Sequence, residues 1–144
     1  MSGVELVGSI FSVVAFGTSL VTTLYRAADN VLHARDQISS MAKHVNQSTA
    51  VLKHMGQVLE SESDNCSKEV LRDIRRIGRS TKFSFQEIGS TIDSASSRKL
   101  YRVRWLLKRT KATELEARLN SQRSMLQCII QTLTVAKIGK MSAR

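Results

Sequence analysis

Apolar residues recur along this chain at intervals of three and four, and the pattern breaks in only a few places. That spacing gathers side chains on one face of an α-helix. The first stretch sets Val7, Ile10, Phe11, Val14, Val21, Leu24, Tyr25 and Ala28 on a common side, continued by Gly17 and Thr18, and predicts a helix over 3–30. A second stripe, Ile38, Met41, Val45, Ser48, Leu52, Met55 and Leu59, predicts a helix over 32–60 with a polar opposite face. The loop SESDN follows, and Ser67 with Glu69 has the chemistry of an N-cap and an acidic first turn. The third helix is predicted over 67–93, with Val70, Ile74, Ile77, Thr81, Phe85, Ile88 and Ile92 facing inward. Gly78 and Gly89 lie beside that row, where a missing side chain lets a neighbouring helix approach.

The run SASS, Ser94 to Ser97, is the next breaker. After it the basic run RKLYRVRWLLKRTK predicts a short helical segment over 98–110, centred on Trp105, Leu106 and Leu107. Thr113 and Glu116 have the spacing of a capping box, so the last long helix is predicted over 113–140. Its inward residues are Leu115, Leu119, Gln122, Leu126, Ile129, Ile130 and Leu133, and residues 141–144 form a tail or the start of a linker. Four amphipathic segments with short connections predict an all-α protein, an antiparallel four-helix bundle with a short extra basic helical segment before the last long helix. The absence of proline and the presence of only seven glycines favour long helices over a turn-rich sandwich or barrel. The whole is expected to be one domain over 1–140, large enough to bury a core without metal or disulfide staples.

Charge changes the picture of the first helix. Leu6 to Tyr25 carries no charged side chain, and twenty helical residues cover about 30 Å, the thickness of a bilayer's hydrocarbon. Its Leu, Val, Ile and Phe residues favour insertion by roughly 3 to 6 kcal/mol. Gly8, Ser9, Ser12, Gly17, Thr18, Ser19, Thr22 and Thr23 erode that preference, so the segment suits a membrane or one wall of a soluble core. Glu5, the one charge in the first 25 positions, either complements the helix N-terminal dipole or lines an aqueous path in an assembled pore.

The formal net charge is +10. Such a balance implies anionic company, whether nucleic acid, anionic lipid or an acidic protein. Two clusters carry it: Arg72, Arg75, Arg76 and Arg79 along one face of the third helix with Lys82 beyond, and Arg98, Lys99, Arg102, Arg104, Lys108, Arg109 and Lys111 with no acid among them. Each is either a solvated polar face or a surface for anionic lipid or a partner, and near an anionic leaflet each cation contributes about 1 kcal/mol. Nucleic acid is disfavoured, because Tyr101 and Trp105 are the only aromatics near the second cluster and no recognition motif is present.

Nothing in the sequence builds an enzyme. There is no Gly-rich phosphate loop, no GxSxG and no HExxH, and the acids are scattered. His33, His44 and His54 stand too far apart along a helix to converge on a metal and read as surface residues. Cys66 and Cys128 lack zinc-ligand spacing and are expected to be reduced, Cys66 as a loop bystander and Cys128 as a buried structural thiol. No catalytic residue, cofactor or metal site is expected. Glu5 before the apolar stretch and Tyr25-Arg26 after it do not fit a cleaved secretion signal, so cytosolic synthesis is expected.

The N-terminal SGVELVGSIFSVVAFGTSLVTTLY, the amphipathic helices after it, and RWLLKRTKATELEARLNSQRSMLQCIIQTL together resemble fungal HeLo-like N-terminal domains over nearly the whole chain. The resemblance implies a helical bundle that executes cell death in fungal heterokaryon incompatibility and innate immunity. It is similar in design to the HET-S HeLo domain, the bundle of mixed lineage kinase domain-like protein and plant coiled-coil resistance domains. It further implies homo-oligomerisation driven by an upstream sensor or a C-terminal domain, relocation from cytoplasm to plasma membrane, and release of the N-terminal helix to permeabilise the bilayer. On this chain the inserting segment is Glu5 to Tyr25, led by Glu5, Leu6, Val7, Ile10, Phe11, Val13, Val14 and Phe16. The basic positions come from the charge pattern, not from the resemblance. The nucleotide-binding oligomerisation domain, repeats or amyloid motif that commonly accompany such domains are not visible in these residues. A soluble homotypic or adaptor bundle that signals through protein contacts is the alternative, and a basic nucleic-acid binder is the third.

Overall fold

The structure is a computed structural model that describes residues 3–30, 34–95 and 101–142, without the side chains of 63, 94–108, 138 and 140–142. The described residues are helical, with no strand: α1 Gly3–Asn30, α2 Arg35–Glu62, a 3-10 turn at Ser63–Asn65, α3 Lys68–Ala95 and α4 Tyr101–Ser142. Sequence chemistry accounts for the boundaries. The Ser67 hydroxyl accepts a bond from the Val70 amide at 3.2 Å and caps α3. Unlike the two-part reading of the C-terminal half, α4 is continuous for 42 residues. Thr113 is therefore no cap. Its hydroxyl donates back to the Arg109 carbonyl at 3.2 Å, the bond a threonine makes inside a helix.

α1 packs against α2 and α3, and α4 packs against the same two helices from the other side. Between α1 and α2 the contacts climb one helix as they descend the other, with Phe11 on Gly56 and Gly17 on Thr49. Between α1 and α3 both numbers rise together, from Ile10 at Gly78 to Leu20 at Gly89. Ile38, Met41, Val45, Leu52, Met55 and Leu59 of α2 and Ile74, Ile77, Phe85, Ile88 and Ile92 of α3 fill the core with Leu115, Leu119, Leu126 and Ile130 of α4. Val70, Ile129 and Leu133 are half-buried at its margin.

The buried row of α1 is Leu6, Ile10, Val13, Gly17, Leu20, Leu24 and Ala28. This row shares Ile10, Gly17, Leu24 and Ala28 with the expected one but is rotated toward Leu6, Val13 and Leu20. Val7, Phe11, Val14 and Val21 flank the core half-buried, while Thr18 and Tyr25 face outward. Gly17 permits a close approach of α2 and α3, since a Cβ there would collide with Thr49 Oγ1 and stand 2.8 Å from the Phe85 ring. Phe16 stacks on the same ring with centroids 6.4 Å apart.

Polar groups also hold the interior. Arg123 is 8% exposed, and its guanidinium donates to the His44 carbonyl at 2.9 Å, Ser48 Oγ at 3.2 Å, His44 Nδ1 at 3.1 Å and Asn120 Oδ1 at 3.2 Å. Burial lowers its pKa from the usual arginine value, yet a guanidinium stays charged in proteins. Because Arg123 can only donate, His44 Nδ1 accepts and the ring carries its proton on Nε2, 3.6 Å from Glu116 Oε2. Gln122 Nε2 reaches Ser80 Oγ at 2.7 Å and Ser84 Oγ at 3.3 Å, tying α4 to α3. His44 is thus half-buried and joins α2 to α4, contrary to the surface role expected of it, whereas His54 is exposed and His33 lies outside the described residues.

Both cysteines are free thiols, as expected, but their burial differs from expectation. Cys128 is exposed, and Cys66 is half-buried against the core with Sγ 3.3 Å from the Glu62 carbonyl.

Candidate functional site on the α1–α3 face

Among the described residues, α1 is the one helix long and apolar enough to cross a membrane by length and composition. Only 28% of its most apolar 18-residue window is buried in the bundle. The rest of the helix is half-buried or exposed, the pattern of a bundle helix that packs along one face. Of the residues expected to lead insertion, Leu6, Ile10 and Val13 are in the core, Val7, Phe11 and Val14 are half-buried, and Glu5 and Phe16 are exposed. The outward face is otherwise small and hydroxylated: Ser9, Ser12, Ala15, Ser19, Thr22 and Thr23. Thr18, Thr22 and Thr23 turn their hydroxyls onto backbone carbonyls four residues earlier, leaving methyl groups outward.

α3 presents its basic residues beside this helix. Helical spacing aligns Lys68, Arg72, Arg75, Arg79 and Lys82, since neighbours three and four apart share a face. Two cavities open along the α1–α3 seam. The first, about 320 Å³, is lined by Leu6 with Lys68, Leu71, Arg72 and Arg75. The second, about 270 Å³, lies between Ser9, Ser12 and Val13 of α1 and Arg75, Arg79 and Lys82 of α3, above Leu6, Ile10 and Gly78. Arg75 lines both. Arg76 points elsewhere and pairs with Asp73 at 3.5 Å. Like charges three and four apart on a helix cost a few tenths of a kcal/mol per pair, so this row is a local expense that an anion would relieve.

The second basic cluster is described only in part. Arg98 and Lys99 lie outside the described residues, as do the side chains of Arg102, Arg104 and Lys108. Arg109 is exposed, and its carbonyl accepts from Gln37 Nε2 at 3.4 Å. Lys111 is engaged within the bundle, with Nζ 3.0 Å from Glu87 Oε2. Arg118 contacts the other Glu87 oxygen at 3.0 Å. The Lys111 hydrogen bond chiefly, with help from Arg118 and against partial burial, holds the Glu87 carboxyl below its ordinary pKa.

No group of three or more His, Cys, Asp or Glu side chains that would hold a metal ion occurs among the described residues. Spacing announced the cation row on α3, but the hydroxyls opposite it and the cavities between required the rotated seating of α1. Arg123 escaped sequence reading, although Leu119, Arg123 and Leu126 share the three-and-four spacing that would have placed it inward. No protein-family model, curated protein or solved structure matches the chain.

Proposed function

We propose that this chain is a membrane-permeabilising execution domain of the HeLo-like type, an antiparallel four-helix bundle whose last long helix opens on a basic segment. At rest it is cytoplasmic. An upstream sensor or a domain beyond this chain drives homo-oligomerisation, the complex moves to the plasma membrane, and α1 leaves the bundle to enter anionic lipid. The observation that carries this reading is α1 itself, free of charge from Leu6 to Tyr25, long enough to span, and packed on two neighbours along one face while its other face is mostly small and hydroxylated. Cations on α3 flank it and favour an anionic leaflet. No catalytic residue or cofactor enters the mechanism.

The test is dye release from anionic and neutral vesicles, comparing the intact chain, brought together by a fused dimerising module, with the same fusion lacking residues 1–11. Circular dichroism first establishes that both are folded. Release that needs both anionic lipid and the N-terminus is expected. Equal release by the truncated chain overturns insertion by α1.

The adaptor reading draws on different residues. Phe83, Met125 and Val135 are exposed, at 59%, 45% and 68%. A bundle that uses them for homotypic contacts forms defined oligomers in solution and ignores lipid, which sedimentation with and without vesicles distinguishes.

A further inference from the structure

The geometry points to the α1–α3 seam as a binding site for a compact anion bearing two or more phosphate groups, whose occupancy clamps α1 onto α3. Three observations converge. First, the two cavities meet at Arg75, and their described linings contain cations and no carboxylate. Second, Arg75 Nε is buried with no hydrogen-bond acceptor among the described residues. A buried guanidinium N–H without an acceptor is costly, and a phosphate oxygen is the acceptor a planar arginine fork fits best. Third, the Ser9 and Ser12 hydroxyls on the opposite wall make no hydrogen bond within the described residues, unlike the threonines further along α1. They supply donors from α1 to an anion that α3 holds by charge.

The cavities, at about 320 and 270 Å³, stand at the lower end of the size range of small-molecule pockets, room for a compact ligand. Arg75 and Lys82 are seven positions apart, about 10 Å along the helix, enough for neighbouring phosphates to find separate cations. A single carboxylate would leave most of the row unpaired. A ligand bridging α1 hydroxyls and α3 cations binds only while both helices are in place, so it stabilises the closed bundle by mass action. Binding itself does not depend on the membrane reading. Restraint of α1 release by the ligand rests on that reading.

Sodium tripolyphosphate added to the full chain is the probe, followed by calorimetry and thermal unfolding, with citrate at equal ionic strength as the carboxylate control. One-to-one binding and a raised unfolding midpoint are expected. Arg75→Gln should weaken binding about tenfold or more, as befits a charged hydrogen bond. Arg79→Gln, at an exposed position, guards against misfolding and should also weaken it. Lys53→Gln, which removes an exposed cation of α2, should change it less than twofold. Equal weakening by all three substitutions, or equal binding of citrate, overturns the site in favour of diffuse charge. Vesicles containing cardiolipin, whose headgroup carries two phosphates, identify the source of the phosphate. Tripolyphosphate displacing the protein from them, in an Arg75-dependent manner, places the lipid's paired phosphates in the same site, whereas binding of tripolyphosphate alone assigns the site to a soluble anion. Tripolyphosphate binding with no dye release leaves this site standing while the membrane function fails.

Discussion

Gly17 decides how closely α1 can sit. A methyl group at Gly17 meets Thr49 and Phe85, side chains with little room to move in the core, whereas one at Gly8 meets nothing within 4 Å. Alanine gains about 1 kcal/mol over glycine in helix propensity, and overpacking a core costs about 1 to 3 kcal/mol. Gly8→Ala is therefore expected to stabilise the bundle by about 1 kcal/mol and Gly17→Ala to destabilise it by about the same amount, both read from urea midpoints. Stabilisation by Gly17→Ala would show that α1 does not seat on Thr49 and Phe85. Arg123 has the corresponding role between α2 and α4. Truncation to alanine strips acceptors at His44, Ser48 and Asn120 of their donor and is expected to cost about 2 to 4 kcal/mol in the same assay. A cost under half a kcal/mol would mean that water replaces it freely.

Between elements, α3 and α4 are joined by two ion pairs on one carboxylate that respond to pH. Glu87 accepts from Lys111 and Arg118, and its carboxyl lies below the ordinary value in the folded state. A depressed carboxylate contributes stability that is fully present above its unfolded pKa, near 4.3, and is lost as pH falls through the lower folded value. Thermal midpoints should decline on acidification below about pH 4.3, and Glu87→Gln should flatten that limb while costing about 1 kcal/mol at neutral pH. An unchanged acid limb in the variant would assign the effect to other acids. The elements themselves were unevenly legible. α2 and α3 have one apolar stripe each on an otherwise polar surface, so periodicity found the buried rows Ile38 to Leu59 and Ile74 to Ile92. α1 is apolar or small nearly all round, which admits more than one stripe at three-and-four spacing, and burial followed Leu6, Val13 and Leu20 instead of the row through Tyr25. In α4 the Thr113–Glu116 pattern imitates a cap, because a threonine inside a helix satisfies its hydroxyl on the preceding turn and Glu116 faces His44 across the bundle. The candidate site was half legible for the same reason: its cations lie on the well-patterned α3, while Ser9 and Ser12 depend on the rotation of α1.

At the scale of the whole molecule, the proposed function requires α1 to exchange a protein core for lipid. Leu6, Ile10, Leu20 and Leu24 are each at most 6% exposed, and full burial of such side chains is worth about 1.5 to 3 kcal/mol apiece. Insertion returns roughly 3 to 6 kcal/mol before the small and hydroxylated residues subtract from it. Lipid alone therefore does not open the bundle, and assembly of several copies must supply the remainder. It follows that the monomer should leave anionic vesicles intact, that dimerised or higher-order fusions should not, and that Gly17→Ala should lower the threshold by loosening α1. The cationic flank adds a salt dependence: attachment to anionic vesicles should weaken as ionic strength rises.

The most direct measurement places a single fluorophore at Ala15→Cys, an exposed position on the outward face of α1, with Cys66 and Cys128 replaced by alanine. The dimerised protein is then bound to leaking vesicles whose lipids carry quenchers at graded depths. Insertion of α1 predicts strong quenching from deep in the hydrocarbon and protection from aqueous iodide. Quenching confined to iodide and to the headgroup level, while the vesicles still leak, would contradict the claim that α1 leaves the bundle to enter the membrane.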